Sequence, residues 1–136
     1  MRRVLLLVGL VGIMLLGGWA YSSWSSYRTN LRITHLSTDT DDLFEALQMY
    51  KERVGSYPVG SNAEVVKALM GNNAKNLTIV VGHKKNLNTK GELVDPWGTP
   101  FRIYFAGEGI MIRSAGPNKR FDDSTVQNSD DWYRSN

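Results

Sequence analysis

Two acidic pairs, Asp122-Asp123 and Asp130-Asp131, fall within ten residues of one another near the C-terminus. Carboxylates held that close repel. Each adjacent pair costs about 1 kcal/mol in water and about 4 kcal/mol where solvent is partly shut out. A divalent cation reverses the sign of that energy. Calcium takes roughly six to eight oxygens from carboxylates, amides and backbone carbonyls. Ser114, Asn118, Ser124 and Asn128 supply neutral oxygens in the same stretch. The spacing is not that of an EF-hand. Composition therefore leaves a second reading open: a solvated acidic tail neutralised by Arg113, Lys119, Arg120 and Arg134.

Other chemistry is poorly provided for. The absence of cysteine excludes disulfides, thiolate metal sites and a thiol nucleophile. His35 and His83 are the only histidines, and neither stands in a nucleophile elbow or triad pattern. There is no HExxH, phosphate-binding glycine loop or dinucleotide fingerprint. Asp95 opens the dense turn Asp95-Pro96-Trp97-Gly98-Thr99-Pro100, where its carboxylate is expected to accept from the turn's own backbone. The expectation is a protein that is not an enzyme.

The elements that position these residues fit one small domain of 136 residues. Hydrophobic residues at 42% and charged residues at 21% are ordinary globular values. The net charge is +3, and with Arg2 and Arg3 set aside 14 basic and 13 acidic side chains remain. No concentrated basic face is indicated, so nucleic acid is not an expected partner.

Residues 4–20, VLLLVGLVGIMLLGGWA, carry no charge. As a helix they measure about 25 Å, short but sufficient for a bilayer core of about 30 Å. Arg2 and Arg3 precede the run and favour retention on the cytoplasmic side, so the rest of the chain is expected outside. Trp19, Tyr21, Trp24 and Tyr27 follow it, as residues of a membrane–water boundary do. A cleaved export signal also fits, with Gly18 and Ala20 as small residues before Tyr21. The expected organisation is a membrane anchor or signal at residues 1–21, a connector at 22–37 whose lack of Gly and Pro allows it to continue the helix, and a head at 38–136.

Within the head, Thr38 and Thr40 are candidate N-caps. Leu43, Phe44, Leu47, Tyr50 and Val54 then form one apolar helical stripe that ends at Gly55. Ser61 and Glu64 fit a capping box before Val65, Val66 and Leu69. The β-branched residues 77–81 predict a strand or an extended edge. Phe101, Ile103 and Phe105 alternate, as do the residues of 110–113, and Gly107-Glu108-Gly109 turns between them. This predicts a β-hairpin whose apolar face covers the helix stripe. From Ser114 onward no apolar periodicity continues, so a C-terminal loop is expected. The fold class is α+β: an N-terminal hydrophobic helix, then a helix with a small antiparallel sheet.

Taken in order, Gly55-Ser56-Tyr57-Pro58, Asp95-Pro96-Trp97-Gly98-Thr99-Pro100, Ser114-Ala115-Gly116-Pro117-Asn118 and Asp130-Asp131 resemble the major pseudopilin of bacterial type II secretion, within the pilin-like superfamily. The resemblance covers about residues 41–132. It implies a pilin-like head, no enzymatic activity, and a structural role in a periplasmic filament that takes part in protein export. It implies other pseudopilins or inner-membrane secretion components as partners, self-association, and a single-pass inner-membrane location with the head in the periplasm. Export after signal cleavage is the alternative. It also implies a calcium site in the C-terminal loop, which in this numbering falls on Asp122, Asp123, Asp130 and Asp131, with oxygens near Ser114 and Asn118. Pseudopilins also resemble one another in a Gly-Phe cleavage site and a Glu early in the mature helix. This chain has Arg2-Arg3-Val4-Leu5-Leu6 and no Glu before Glu45. That departure points to a pseudopilin-like head on an ordinary anchor, either as an accessory subunit or as an interaction module outside the filament.

Overall fold

The computed structural model describes residues 2–79, 86–123 and 129–136, with side chains from residue 12 onward apart from residue 15. The element order is α1 (Arg2–Val54), α2 (Asn62–Leu69), β1 (Arg102–Ala106), β2 (Gly109–Ser114) and β3 (Trp132–Ser135). The chain divides into two compact units, Met1–Thr34 and His35–Asn136.

In the first unit α1 is helical in spite of its many hydroxyls. Residues 19–34 contain neither Gly nor Pro, and the Ser and Thr side chains donate back to carbonyls one turn earlier. Ser22 donates to the Trp19 carbonyl at 2.9 Å, Ser26 to Ser22 at 3.1 Å, and Thr29 to Ser25 at 3.1 Å. Among the described residues no helix is long and apolar enough to cross a membrane. The predicted span at residues 4–20 lies largely where side chains fall outside the described set.

In the second unit the stripe of α1 forms the floor of the core. Leu36, Leu43, Phe44, Leu47 and Tyr50 pack with Val65, Ala68 and Leu69 of α2, with Phe101, and with Ile110 and Ile112 of β2. Each such side chain, fully buried, contributes about 1.5–3 kcal/mol before conformational entropy is set against it. The hairpin pairs Ile103 with Ile112 and Phe105 with Ile110, and alternation turns Ile110 and Ile112 inward.

Two expectations are corrected and one is narrowed. Thr38 and Thr40 do not start a helix, because α1 already runs through them. Residues 19–40 contain neither Gly nor Pro, so the helix does not break and no backbone N–H is released for capping, and the Thr40 hydroxyl turns instead to the Leu36 carbonyl at 2.8 Å. Of the two readings of residues 77–79, strand or extended edge, the structure keeps the edge. Thr78 makes a single bridge to Met70, and residues 80 and 81 lie outside the described set. The tail does not end as a loop, since Trp132–Ser135 pairs antiparallel with β2 and completes a three-stranded sheet of order β1-β2-β3. β3 lacks apolar alternation because backbone pairing and polar contacts, rather than apolar burial, hold it. The Arg134 Nε donates to Asp41 Oδ1 at 2.6 Å, and its guanidinium lies 4.3 Å from the centre of the Phe44 ring.

Candidate metal centre

The acidic loop leaves the sheet at the end of β2 and returns at the start of β3, so pairing of Ser114 with Trp132 fixes both of its ends. The first turn needs Gly116. Its φ is +65°, and a Cβ there would collide with the Asp130 carbonyl. The turn brings Asn118 against Asp130. The Asn118 backbone N–H donates to Asp130 Oδ2 at 2.9 Å, while its side-chain amide donates to Asp130 Oδ1 and reaches Asp122 Oδ2 at 3.5 Å. Asn118 Oδ1 accepts from the Arg120 N–H at 2.6 Å, which closes the turn.

Asp122, Asp130 and Asp131 converge. One carboxylate oxygen from each lies within 4.8 Å of the other two. Their mutual repulsion is answered at Asp131, whose side chain is 0% exposed and whose Oδ2 is crowded with donors. Arg113 Nε donates to it at 2.6 Å, Arg113 Nη2 forms an ion pair with it, and the Asp122 N–H donates at 3.2 Å. Arg113 also donates to the Asp122 carbonyl. Burial works to lower the Arg113 pKa, but the hydrogen bond and charge of Asp131 outweigh it and raise the guanidinium above its ordinary value.

The second oxygen of Asp131 is different. Oδ1 is buried and has no hydrogen-bond partner among the described residues. An anionic oxygen in that position is costly unless something positive meets it. Three convergent carboxylates, one with an orphaned buried oxygen, fit a hard divalent cation.

The structure thus groups Asp122, Asp130 and Asp131 of the predicted ligands and sets Asn118 against them. Asp123 is exposed and outside the three. Ser114 is buried and faces away, its hydroxyl donating to Asp95 Oδ2 at 2.8 Å and accepting from the Gly116 N–H at 3.1 Å. Ser124, Asn128 and His83 lie outside the described residues. Arg113 was expected only as one of four cations neutralising a solvated tail; its buried clasp on Asp131 was not foreseen. Its signal was the single Arg in the alternating residues of β2, opposite an acidic tail.

A family model described as "Type II secretion system (T2SS), protein G" matches residues 27–130. No curated protein and no solved structure matches the chain.

Proposed function

The chain belongs to the type II secretion system protein G family, that of the major pseudopilin, and on that premise we propose that it is a membrane-anchored pseudopilin subunit whose C-terminal loop binds calcium. The family is structural and not enzymatic, acts in the cell envelope, and assembles with secretion-system components. The finer reading is a single pass through the inner membrane at residues 4–20, a head at residues 38–136 in the periplasm, and association with other pseudopilins or with further copies of the chain.

The orphaned Asp131 Oδ1 carries the calcium reading. Asp122, Asp130 and Asp131 are the acidic ligands. Asn118 and backbone oxygens near Asn118 and Ser114 are the neighbours from which a shell is completed, and Asp123 would join only by turning inward. A bound ion supplies the charge that lets three carboxylates share one corner, and so ties the loop to the sheet. The test is thermal melting of the full chain in detergent, with calcium and then with a chelator. Calcium at a hundred times Kd stabilises by about 2.7 kcal/mol. Asp131→Asn should lose that response, and superimposable wild-type curves would end the reading.

The chain has no acidic residue ahead of Asp39, and that favours the second reading, an anchored interaction module outside the filament. Crosslinking in the envelope separates the two. Adducts with other pseudopilins or with secretion-system membrane components support the filament subunit. Monomer alone in a secreting cell supports the module.

A further inference from the structure

The uncharged stretch of this chain is longer than its apolar run. No ionisable acid or base other than Tyr occurs from residue 4 to residue 27, and the next charges are Arg28 and Arg32. Those 24 residues measure about 36 Å as helix, at roughly 1.5 Å per residue. A bilayer is about 30 Å thick across its hydrocarbon and about 40–45 Å with its headgroups. Charges flanking a 36 Å stretch therefore fall within the headgroup layers. A helix that enters the hydrocarbon at residue 4 leaves it near residue 23, which places the Cα atoms of Arg28 and Arg32 roughly 7 and 13 Å further on. Helical side chains lean toward the N-terminus, so both arginines reach back toward the bilayer.

The face they occupy suits that position. Tyr21, Trp24, Arg28 and Arg32 follow at spacings of three, four and four and line one shallow hollow on α1 with Ser25 and Thr29. Tyr21 and Trp24 are 77% and 62% exposed, with no core of their own to cover. Neither Arg28 nor Arg32 has an ion-pair partner among the described residues. The first acid in the chain, Asp39, lies almost two turns beyond Arg32. Two guanidinium groups, an indole N–H and a Tyr hydroxyl that can donate give the face positive charge and hydrogen-bond donors suited to an oxyanion. We propose that this face of α1 is a binding site for the phosphate headgroups of anionic phospholipids in the outer leaflet around the anchor. The proposal rests on the anchored reading above and adds a lipid class to it.

The test is tryptophan quenching in the full chain reconstituted into vesicles, with dibrominated phosphatidylglycerol or dibrominated phosphatidylcholine as the quenching lipid. Trp19 and Trp24 lie at the boundary and report the lipid beside them. The wild type should prefer phosphatidylglycerol, by roughly fivefold for each arginine at low salt, and less as salt screens the charges. Arg28→Ala with Arg32→Ala should bring the ratio near one, while the double Lys variant keeps much of it. Equal quenching by both lipids in the wild type overturns the headgroup site and leaves the anchor standing. No quenching by either lipid overturns the anchor, and this site with it. An alanine variant that keeps the lipid ratio but loses crosslinks between copies assigns the arginines to a neighbouring subunit and overturns the proposal.

Discussion

Asp95 and Asp131 are both acids withdrawn from water, and their surroundings differ oxygen by oxygen. Asp95 is 3% exposed and uses both oxygens. Oδ1 accepts from the Trp97 and Thr99 N–H groups at 3.0 and 2.9 Å, and Oδ2 accepts from the Ser114 hydroxyl at 2.8 Å. Asp131 gathers every donor on Oδ2 and leaves Oδ1 with none among the described residues. The first acid is closed. It fastens the turn before β1 to the end of β2, and nothing is left over for a ligand. The second is open on one side, beside two further carboxylates. Burial alone does not separate a structural acid from a binding acid; the count of satisfied oxygens does.

That contrast can be broken most forcefully at Arg113. Arg113→Met leaves the buried Asp131 charge uncompensated and should cost about 3–5 kcal/mol in a chelator. Calcium should return part of that loss, since it meets the same carboxylate. A melt that calcium does not move would deny Asp131 its role as a ligand. At the closed acid, Asp95→Ala removes a charged acceptor from three donors and should cost about 3 kcal/mol. Its loss should be the same with calcium as without, because Asp95 lies outside the carboxylate group; a calcium-dependent loss would merge the two sites. Gly116→Ala tests how far the open acid depends on its loop. The strained φ and the collision with the Asp130 carbonyl should cost about 2 kcal/mol and weaken the calcium response.

The smallest effect comes from a third kind of carboxylate, bonded but exposed. The Ser61 backbone N–H donates to Glu64 Oε2 at 2.7 Å, the Ser61 hydroxyl adds to it at 2.9 Å, and together they hold the Glu64 pKa below its ordinary value of 4.5. A lowered folded-state pKa gives stability that is present above 4.5 and lost as pH falls through the folded value. Glu64→Gln should therefore flatten the acid limb of the stability curve slightly, leaving the calcium response at neutral pH untouched. Curves that coincide throughout would show the capping box to be without weight.

Much of this head was legible in the chain. The stripe from Leu43 to Tyr50, the capping box at Ser61, the turn at Asp95 and the hairpin depend on neighbours a few residues apart, which periodicity and turn chemistry describe. The turn at Asp95 shows where legibility stopped: its bonds to Trp97 and Thr99 were foreseen, and the one to Ser114, nineteen residues on, was not. β3 was missed for a related reason. Trp132–Ser135 is short and polar, and it becomes a strand because β2 offers it an edge and Asp41 offers Arg134 a partner 93 residues away.

For the metal centre, composition supplied the acids and the order of motifs supplied the family resemblance. Which carboxylates meet, that Asp123 stands apart, and that Arg113 takes one oxygen of Asp131 while leaving the other bare, were decided by the closing of the sheet. Local patterns encode where a helix or turn forms because the interacting groups are near in sequence. Whether a given oxygen is satisfied depends on which distant strands pair, and only the assembled sheet determines that.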